Sequence, residues 1–351
     1  MKIPVAILGA TGMVGQRFVA LLAEHPWFEI VALAASERSE GKRYGEAVHW
    51  LLSDPLPEGA AAMHLLPAQE VLNSEAQIVF SALPAEEARQ LEPQLAQAGK
   101  IVCSNASAFR MEADVPLLMP EVNPEHIALV ETQRKNRGWS GAILTNPNCT
   151  SSGLTVALKA LDVAFGVRRA FVVSMQALSG AGYPGVASLD ILDNLIPYIA
   201  GEEAKVENEP RKMLGRLEGE KVVEAALRLS AHTNRVAVRE GHTVCVSVEL
   251  EQPADLEAAA AALGNYQAPL LGRDLPSTPR PVILLRAEVD RPQPLLDRMT
   301  GQGMTTIVGR LRPDPLFHLK FVVLSHNTLR GAAGGSIYNA ELYVRYYGLI
   351  V

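Results

Sequence analysis

Several protein classes are excluded by what this sequence lacks. Among 351 residues there are three cysteines, Cys103, Cys149 and Cys245, an odd number at wide spacing. That excludes a disulfide framework and a cysteine-rich zinc set, and a reducing cytoplasm is the expected setting. Charged residues make up 20% and the formal net charge is -6, with no basic tail or stripe to meet nucleic acid. No apolar run reaches the roughly 18 residues that a membrane span requires. The opening MKIPVAILGATG meets glycines directly after a short apolar run. It reads as a first strand and not as a signal peptide. Apolar residues make up 48% and aromatics 5%, an enzyme-like globular profile. The length suits two domains with a cleft between them.

Strand-like and helical segments alternate through the first part. Ile3 to Leu8 is an apolar strand, and Gln16 to Ala23 reads as a helix with Phe18, Leu21 and Leu22 on one face. Phe28 to Ala35 is a second strand. Further strands are expected over 77–83, 100–105 and 142–145, with a helix over 85–97. Such alternation implies a parallel, doubly wound sheet of the Rossmann type. After Cys149 the texture changes. A helix is expected over 152–161, then strands over 170–177, 235–238, 244–250, 282–288 and 318–324, with a helix over 255–263. This implies a mostly antiparallel sheet in an α+β domain. The polar piece Gly201 to Lys221 reads as a loop or an exposed helix, and Gly334 to Tyr347 as a closing helix. The expected division is 1–148, with a C-terminal helix at about 330–351 returning to it, and 149–329.

Gly9, Gly12 and Gly15 stand at G-x-x-G-x-x-G between a strand and a helix. Glycines there let backbone N–H groups approach a pyrophosphate at the helix N-terminus. An NAD site places an acid at the end of the second strand, for the ribose hydroxyls. Here Ser36, Arg38 and Ser39, with Lys42 and Arg43 close by, suit a 2′-phosphate better, although Glu37 stands among them. The expected cofactor is NADP.

Asn146-Pro-Asn148-Cys149-Thr-Ser-Ser-Gly153 puts a cysteine between a strand end and a helix start. The helix dipole is expected to lower its pKa, and free amides with the Asn148 side chain to hold an oxyanion. Cys103 and Cys245 lie in apolar strand patterns and read as buried, inert thiols. Arg235 and His242 flank a turn at Gly241, which suits a histidine presented to a cleft as a proton shuttle. His232 and His326 read as ordinary surface or core histidines.

With GATGMVGQRF, ASERSEGKRYGE, SNASAFRM, TNPNCTSSG, SMQALSGAGYPG, GEEAKVENEPRKM, SAHTNRVAVREGHT and RGAAGGSIYNAEL in this order, the chain resembles the aspartate-semialdehyde dehydrogenases of the archaeal and fungal branch. The resemblance covers nearly the whole length. The layout is more distantly similar to phosphorylating glyceraldehyde-3-phosphate dehydrogenase. It implies a Rossmann-type cofactor domain joined to an α+β catalytic and dimerisation domain. Cys149 is implied as nucleophile, His242 as acid/base and Gln176 as the group that orients the substrate. Arg235 would grip the substrate carboxylate and Glu202, or the adjacent Glu203, its ammonium. Lys205 and Arg110 would hold phosphate, with Asn105 and Asn148 near by. Thr11, Met13, Val14, Ser81, Leu83, Ser179, Gly180, Asn327 and Gly331 would join the glycine loop around the cofactor.

The implied reaction interconverts aspartyl 4-phosphate and aspartate 4-semialdehyde plus phosphate through a Cys149 thioacyl enzyme. It serves lysine, threonine and methionine biosynthesis in a homodimer or homotetramer. The alternative is a paralogous reductase of CoA thioesters, of the malonyl-CoA type, with the same thioacyl chemistry. A catalytically silent NADP-binding module would have no need of Cys149, Gln176, Arg235 and His242 together.

Overall fold

The computed structural model describes residues 2–36 and 39–348. Its first sheet forms where short apolar segments alternate with helices. β1 (Ile3–Leu8), β2 (Phe28–Ala35), β3 (Leu65–Pro67), β4 (Ile78–Ser81), β5 (Ile101–Ser104) and β6 (Ala142–Thr145) pair in the order β3-β2-β1-β4-β5-β6. Every pairing is parallel. Both faces are covered, so the strands carry apolar residues in both directions. Ile3, Val5 and Ile7 of β1 pack with Phe18 and Leu22 of the helix Met13–Leu22 and with Ile337 and Tyr338 of the helix Gly334–Tyr347. Ala6 and Leu8 pack the other way, with Leu91 and Leu95 of the helix Ala85–Gln97. Leu21, expected on the buried face, is exposed. The helix begins at Met13, and its inner face carries Phe18, Val19 and Leu22.

The strand order reverses between β1 and β4. A crevice opens outside the carboxyl ends of strands at such a switch point. The glycine loop lies there, after β1.

The second sheet comprises β7 (Val167–Gln176), β10 (Arg228–Arg235), β11 (His242–Leu250), β12 (Ile283–Leu285), β13 (Thr306–Pro313) and β14 (Leu319–Ser325), in the order β10-β7-β11-β14-β13-β12. A separate hairpin pairs β8 (Arg216–Glu218) with β9 (Lys221–Val223). The sheet is mixed: three central pairings are antiparallel, and the two edge pairings, β10 with β7 and β12 with β13, are parallel. The edge strand β10 ends at Arg235, where a strand was expected to begin. Its sequence RLSAHTNR has no apolar run, because only Ala231, Thr233 and Arg235 face inward. β13 was not anticipated.

One face of this sheet is covered by the helices Cys149–Phe165 and Leu256–Gly264. The piece after Gly201 is the helix Glu202–Met213, and it buries Val206 and Met213 in the same core. The other face is open: Phe171, Val173, Met175 and Val322 are only half-buried, and Cys245 is exposed. Cys245 thus departs from the buried reading, whereas Cys103 follows it. Among the described residues no helix is long and apolar enough to cross a membrane.

Candidate active site

β6 delivers the chain to the turn Asn146-Pro147-Asn148. Asn148 caps the next helix: its side-chain oxygen accepts the Thr150 and Ser151 N–H groups at 2.9 and 3.2 Å. The cap makes Cys149 the first helical residue, three residues before the expected start. It also occupies two of the amides expected to be free. The Cys149 N–H itself has no hydrogen-bond partner among the described residues and remains for an oxyanion. Gly331 presses on Cys149 from the turn Leu329–Ala333. A Cβ there would lie 2.7 Å from the Cys149 Cβ, so only glycine allows this approach.

His242 opens β11. Its Nε2 lies 3.2 Å from the Cys149 Sγ, and its Nδ1 accepts the Ala177 N–H at 3.0 Å. An Nδ1 that accepts leaves the neutral ring's proton on Nε2, facing sulfur. Burial, reinforced by Arg235 and His326, lowers the His242 pKa to about 3. Burial, with the Glu202 charge, pushes the Cys149 thiol up to about 12 against the pull of Arg110 and Arg235. The helix dipole alone suggested the opposite direction, but desolvation of the thiolate dominates. The geometry therefore arranges neutral His242 as a hydrogen-bond donor to sulfur. Alkylation of Cys149 by iodoacetamide should rise smoothly with pH, with no inflection near the ordinary histidine value of about 6.5. An inflection there that disappears in His242→Ala would contradict this assignment.

Arg235 ends β10 opposite Gln176 of β7. Its Nη1 donates to the Ala177 carbonyl at 2.7 Å. It is buried on the wall of the cleft and forms no ion pair among the described residues, although the Glu202 charge acts on it. Gly180 keeps this corner open, since a Cβ there would lie 2.8 Å from the Arg235 Nη1 and 3.1 Å from the His242 Nε2.

Glu202 begins the helix Glu202–Met213 and points inward. It accepts from Lys205 Nζ at 2.7 Å, Asn148 Nδ2 at 2.8 Å and Gln176 Nε2 at 3.3 Å. Burial alone would raise its pKa, but these bonds outweigh it and hold the carboxylate below its ordinary range. Glu203 is turned away and accepts from the Thr233 N–H at 3.3 Å. Arg110 is buried, donating Nη1 to Glu209 at 2.9 Å and Nη2 to the Asn105 carbonyl at 2.6 Å. Its buried Nε has no partner among the described residues. Asn105 in turn accepts from Asn146 Nδ2 at 3.2 Å.

Glu209 and Lys212 were not singled out in the sequence. The signal was present: Glu202, Lys205, Glu209 and Lys212 recur at the spacing of one helix face.

The crevice at the switch point is a cavity of about 640 Å³ that reaches Cys149. Thr11, Gly12, Met13, Val14 and Gly15 line one end, with Leu83, Ser179, Gly180, Asn327 and Gly331 along it. Gly9 adopts φ +73°, and a Cβ on Gly15 would lie 2.1 Å from the Gly9 carbonyl oxygen. Only glycine permits this close approach of helix to strand, and the loop so shaped fits a dinucleotide pyrophosphate at the helix N-terminus. Asn327 is already engaged, accepting from the Gly241 N–H at 2.9 Å and donating to the Ser179 hydroxyl at 2.7 Å. Ser81 is not on the wall; it is fully buried at the end of β4. Ser36 and Ser39 follow β2 beyond this wall, and Arg38 lies outside the described residues.

Comparison with known proteins gives a consistent picture. Residues 4–130 match the semialdehyde dehydrogenase NAD binding domain, and residues 158–330 match the semialdehyde dehydrogenase dimerisation domain. The chain is 54% identical over 345 residues to aspartate-semialdehyde dehydrogenase of Archaeoglobus fulgidus, covering 98% of this chain and 99% of that protein. It is 44% identical to that of Schizosaccharomyces pombe, covering 97% and 98%. The crystal structure of aspartate semialdehyde dehydrogenase with NADP from Candida albicans superposes with a TM-score of 0.90 at 40% identity, covering 100% of both chains.

Proposed function

Because this chain belongs to the aspartate-semialdehyde dehydrogenase family, we propose that it interconverts aspartyl 4-phosphate and aspartate 4-semialdehyde plus phosphate with NADP(H). One observation carries the reading. The Cys149–His242 pair, 3.2 Å apart, stands where a glycine-cradled cleft meets groups complementary to a carboxylate, an ammonium and a phosphate.

The roles follow from charge and geometry. Arg235 pairs the substrate carboxylate with its planar fork. Glu202 takes the ammonium, and Lys205 and Arg110 take the phosphate. Gln176 and Asn148 fix Glu202 and orient the acyl group. In the reductive direction the Cys149 sulfur bonds to the acyl carbon and the carbon–oxygen bond to phosphate breaks. The thiol's proton leaves with the phosphate, and a thioacyl enzyme remains. Bound in the cleft, NADPH supplies hydride chemistry to that carbon. The Cys149 N–H and the His242 Nε2–H stabilise the oxyanion at the tetrahedral stage. The sulfur departs as the aldehyde forms and takes up a proton from solvent, which restores the Cys149 thiol. The reverse direction oxidises and phosphorylates the aldehyde.

Glu202 also bears on the alternative substrate. A CoA thioester has no ammonium to pair with this buried carboxylate, which favours the amino-acid substrate. Residues 1–148 with the C-terminal helix would hold cofactor, and 149–329 would carry catalysis and dimerisation. The open face around Phe171, Val173 and Met175 suits a homodimer or homotetramer, since half-buried apolar sheet faces are covered on association. The expected setting is the cytoplasm, and the pathway is that of lysine, threonine and methionine.

The test is NADPH formation from aspartate 4-semialdehyde, phosphate and NADP, with NAD as comparison. Wild type should show phosphate-dependent turnover. In the same assay Arg235→Lys should lower kcat/KM by more than about tenfold, with KM for the aldehyde raised, because lysine lacks the bidentate fork. Unchanged kinetics would remove Arg235 from the site. Absence of turnover in folded, NADP-binding protein would transfer the reading to a CoA-thioester reductase.

A further inference from the structure

We propose that Glu209 is a positioning residue for the phosphate subsite, holding Arg110 in register with the nucleophile's helix cap. The inference rests on the function proposed above.

Glu209 is buried, and both its oxygens are used. Oε1 accepts from Arg110 Nη1 at 2.9 Å, and Oε2 accepts from the backbone N–H of Asn148 at 2.6 Å. One carboxylate therefore spans the phosphate-binding arginine and the residue that precedes Cys149. One turn further along the helix, Lys212 Nζ donates to the carbonyls of Arg110, Glu112 and Val115 at 2.7, 2.7 and 2.8 Å. That fixes the backbone of the loop from which Arg110 projects. The face that presents Glu202 and Lys205 to substrate thus continues into two residues that set a third substrate ligand.

Electrostatics makes the positioning role the economical one. The Glu209 charge opposes ionisation of Cys149, and it stands beside a subsite meant for an anion. A neutral residue would remove both penalties. What only a carboxylate supplies here is two acceptors facing two donors. Arg110 is then held at one Nη and, through Asn105, at the other, with its remaining N–H groups directed by the planar fork. Misplacement of an ångström at such a ligand costs rate and affinity at the group it holds and not throughout the site.

Glu209→Gln is the informative change. Its amide offers one acceptor and one donor to two donors, so one of the two contacts becomes donor against donor. In the phosphorylating direction, KM for phosphate should rise by about tenfold or more. KM for the aldehyde and Kd for NADPH should stay within about twofold, which a general loss of folding would not allow. In an Arg110→Ala background the same change should add little further to KM for phosphate, because both act through one group. Should Glu209→Gln not fold, Glu209→Asp, which keeps the charge but shortens the reach, reads the same ratio. An unchanged phosphate KM, or phosphate and aldehyde KM rising together, would overturn the proposal. So would additive effects in the double variant, or failure of both variants to fold, which would assign Glu209 to the scaffold. Wild type is measured first. Absence of phosphate-dependent turnover there sinks the functional reading itself, a result distinct from any of these.

Discussion

Cys149→Ala should lower turnover of aspartate 4-semialdehyde by roughly 10⁴-fold or more, while NADPH binding and the melting temperature stay near wild type. The size follows from removing the side chain proposed to bond to the acyl carbon; nucleophile deletions elsewhere remove nearly all of the chemical acceleration. Neither other thiol is placed to substitute. Cys103 is buried in the core of the parallel sheet, and Cys245 is exposed on the open face of β11. Alanine retains the Cβ that packs against Gly331, and the cap by Asn148 is made through the Thr150 and Ser151 amides. The helix should therefore remain in place. Titration of fluorescence with NADPH and a thermal melt provide the controls. Residual activity within a hundredfold of wild type would remove the thiol from the mechanism.

The second large effect is on stability. Arg330 and Glu121 form an ion pair at 2.5 Å with side chains 0% and 1% exposed. Arg330→Leu would leave Glu121 charged, buried and alone, and should cost about 3–5 kcal/mol. Replacing both by leucine removes both desolvation penalties and should recover most of that loss. Urea unfolding followed by circular dichroism reads both variants. The effect should reach the site as well, because Arg330 immediately precedes Gly331, which abuts Cys149. A single variant that loses less than about 1 kcal/mol, or a double variant no better than the single, would show that the pair is not the buried charge unit described here.

Much of this architecture is written locally in the chain. The β1–glycine–helix opening is explicit in ILGATGMVG, where each glycine answers a close approach. The capped cysteine is equally explicit in NPNC, where Asn148 can only serve as cap if the helix starts at Cys149. The exposure of Cys245 was also readable: Val244, Val246 and Val248 point to the core, so Cys245 shares the outward face with Ser247 and Glu249. An apolar cysteine at an outward position masks that alternation. β10 escaped notice because an edge strand with one polar face carries no apolar run.

What was not legible depends on partners distant in sequence. The direction of the Cys149 shift follows from desolvation by segments packed around it from across the chain, against Arg110 and Arg235. The tautomer of His242 depends on the amide of Ala177, 65 residues away. Glu209 acquires meaning only when Arg110, 99 residues earlier, is brought against it. Helix phase likewise turns Glu202 inward toward Asn148 and Glu203 toward Thr233.

The most direct measurement mixes the enzyme with NADP and aspartate 4-semialdehyde in the absence of phosphate, and follows absorbance and intact mass together. An acyl group held on Cys149 should give a burst of about one NADPH per active site. The protein mass should increase by one aspartyl thioester at the Cys149 peptide, and added phosphate should release it and restart turnover. Continuous NADPH formation without phosphate, or a burst with no mass on Cys149, would contradict the thioacyl mechanism.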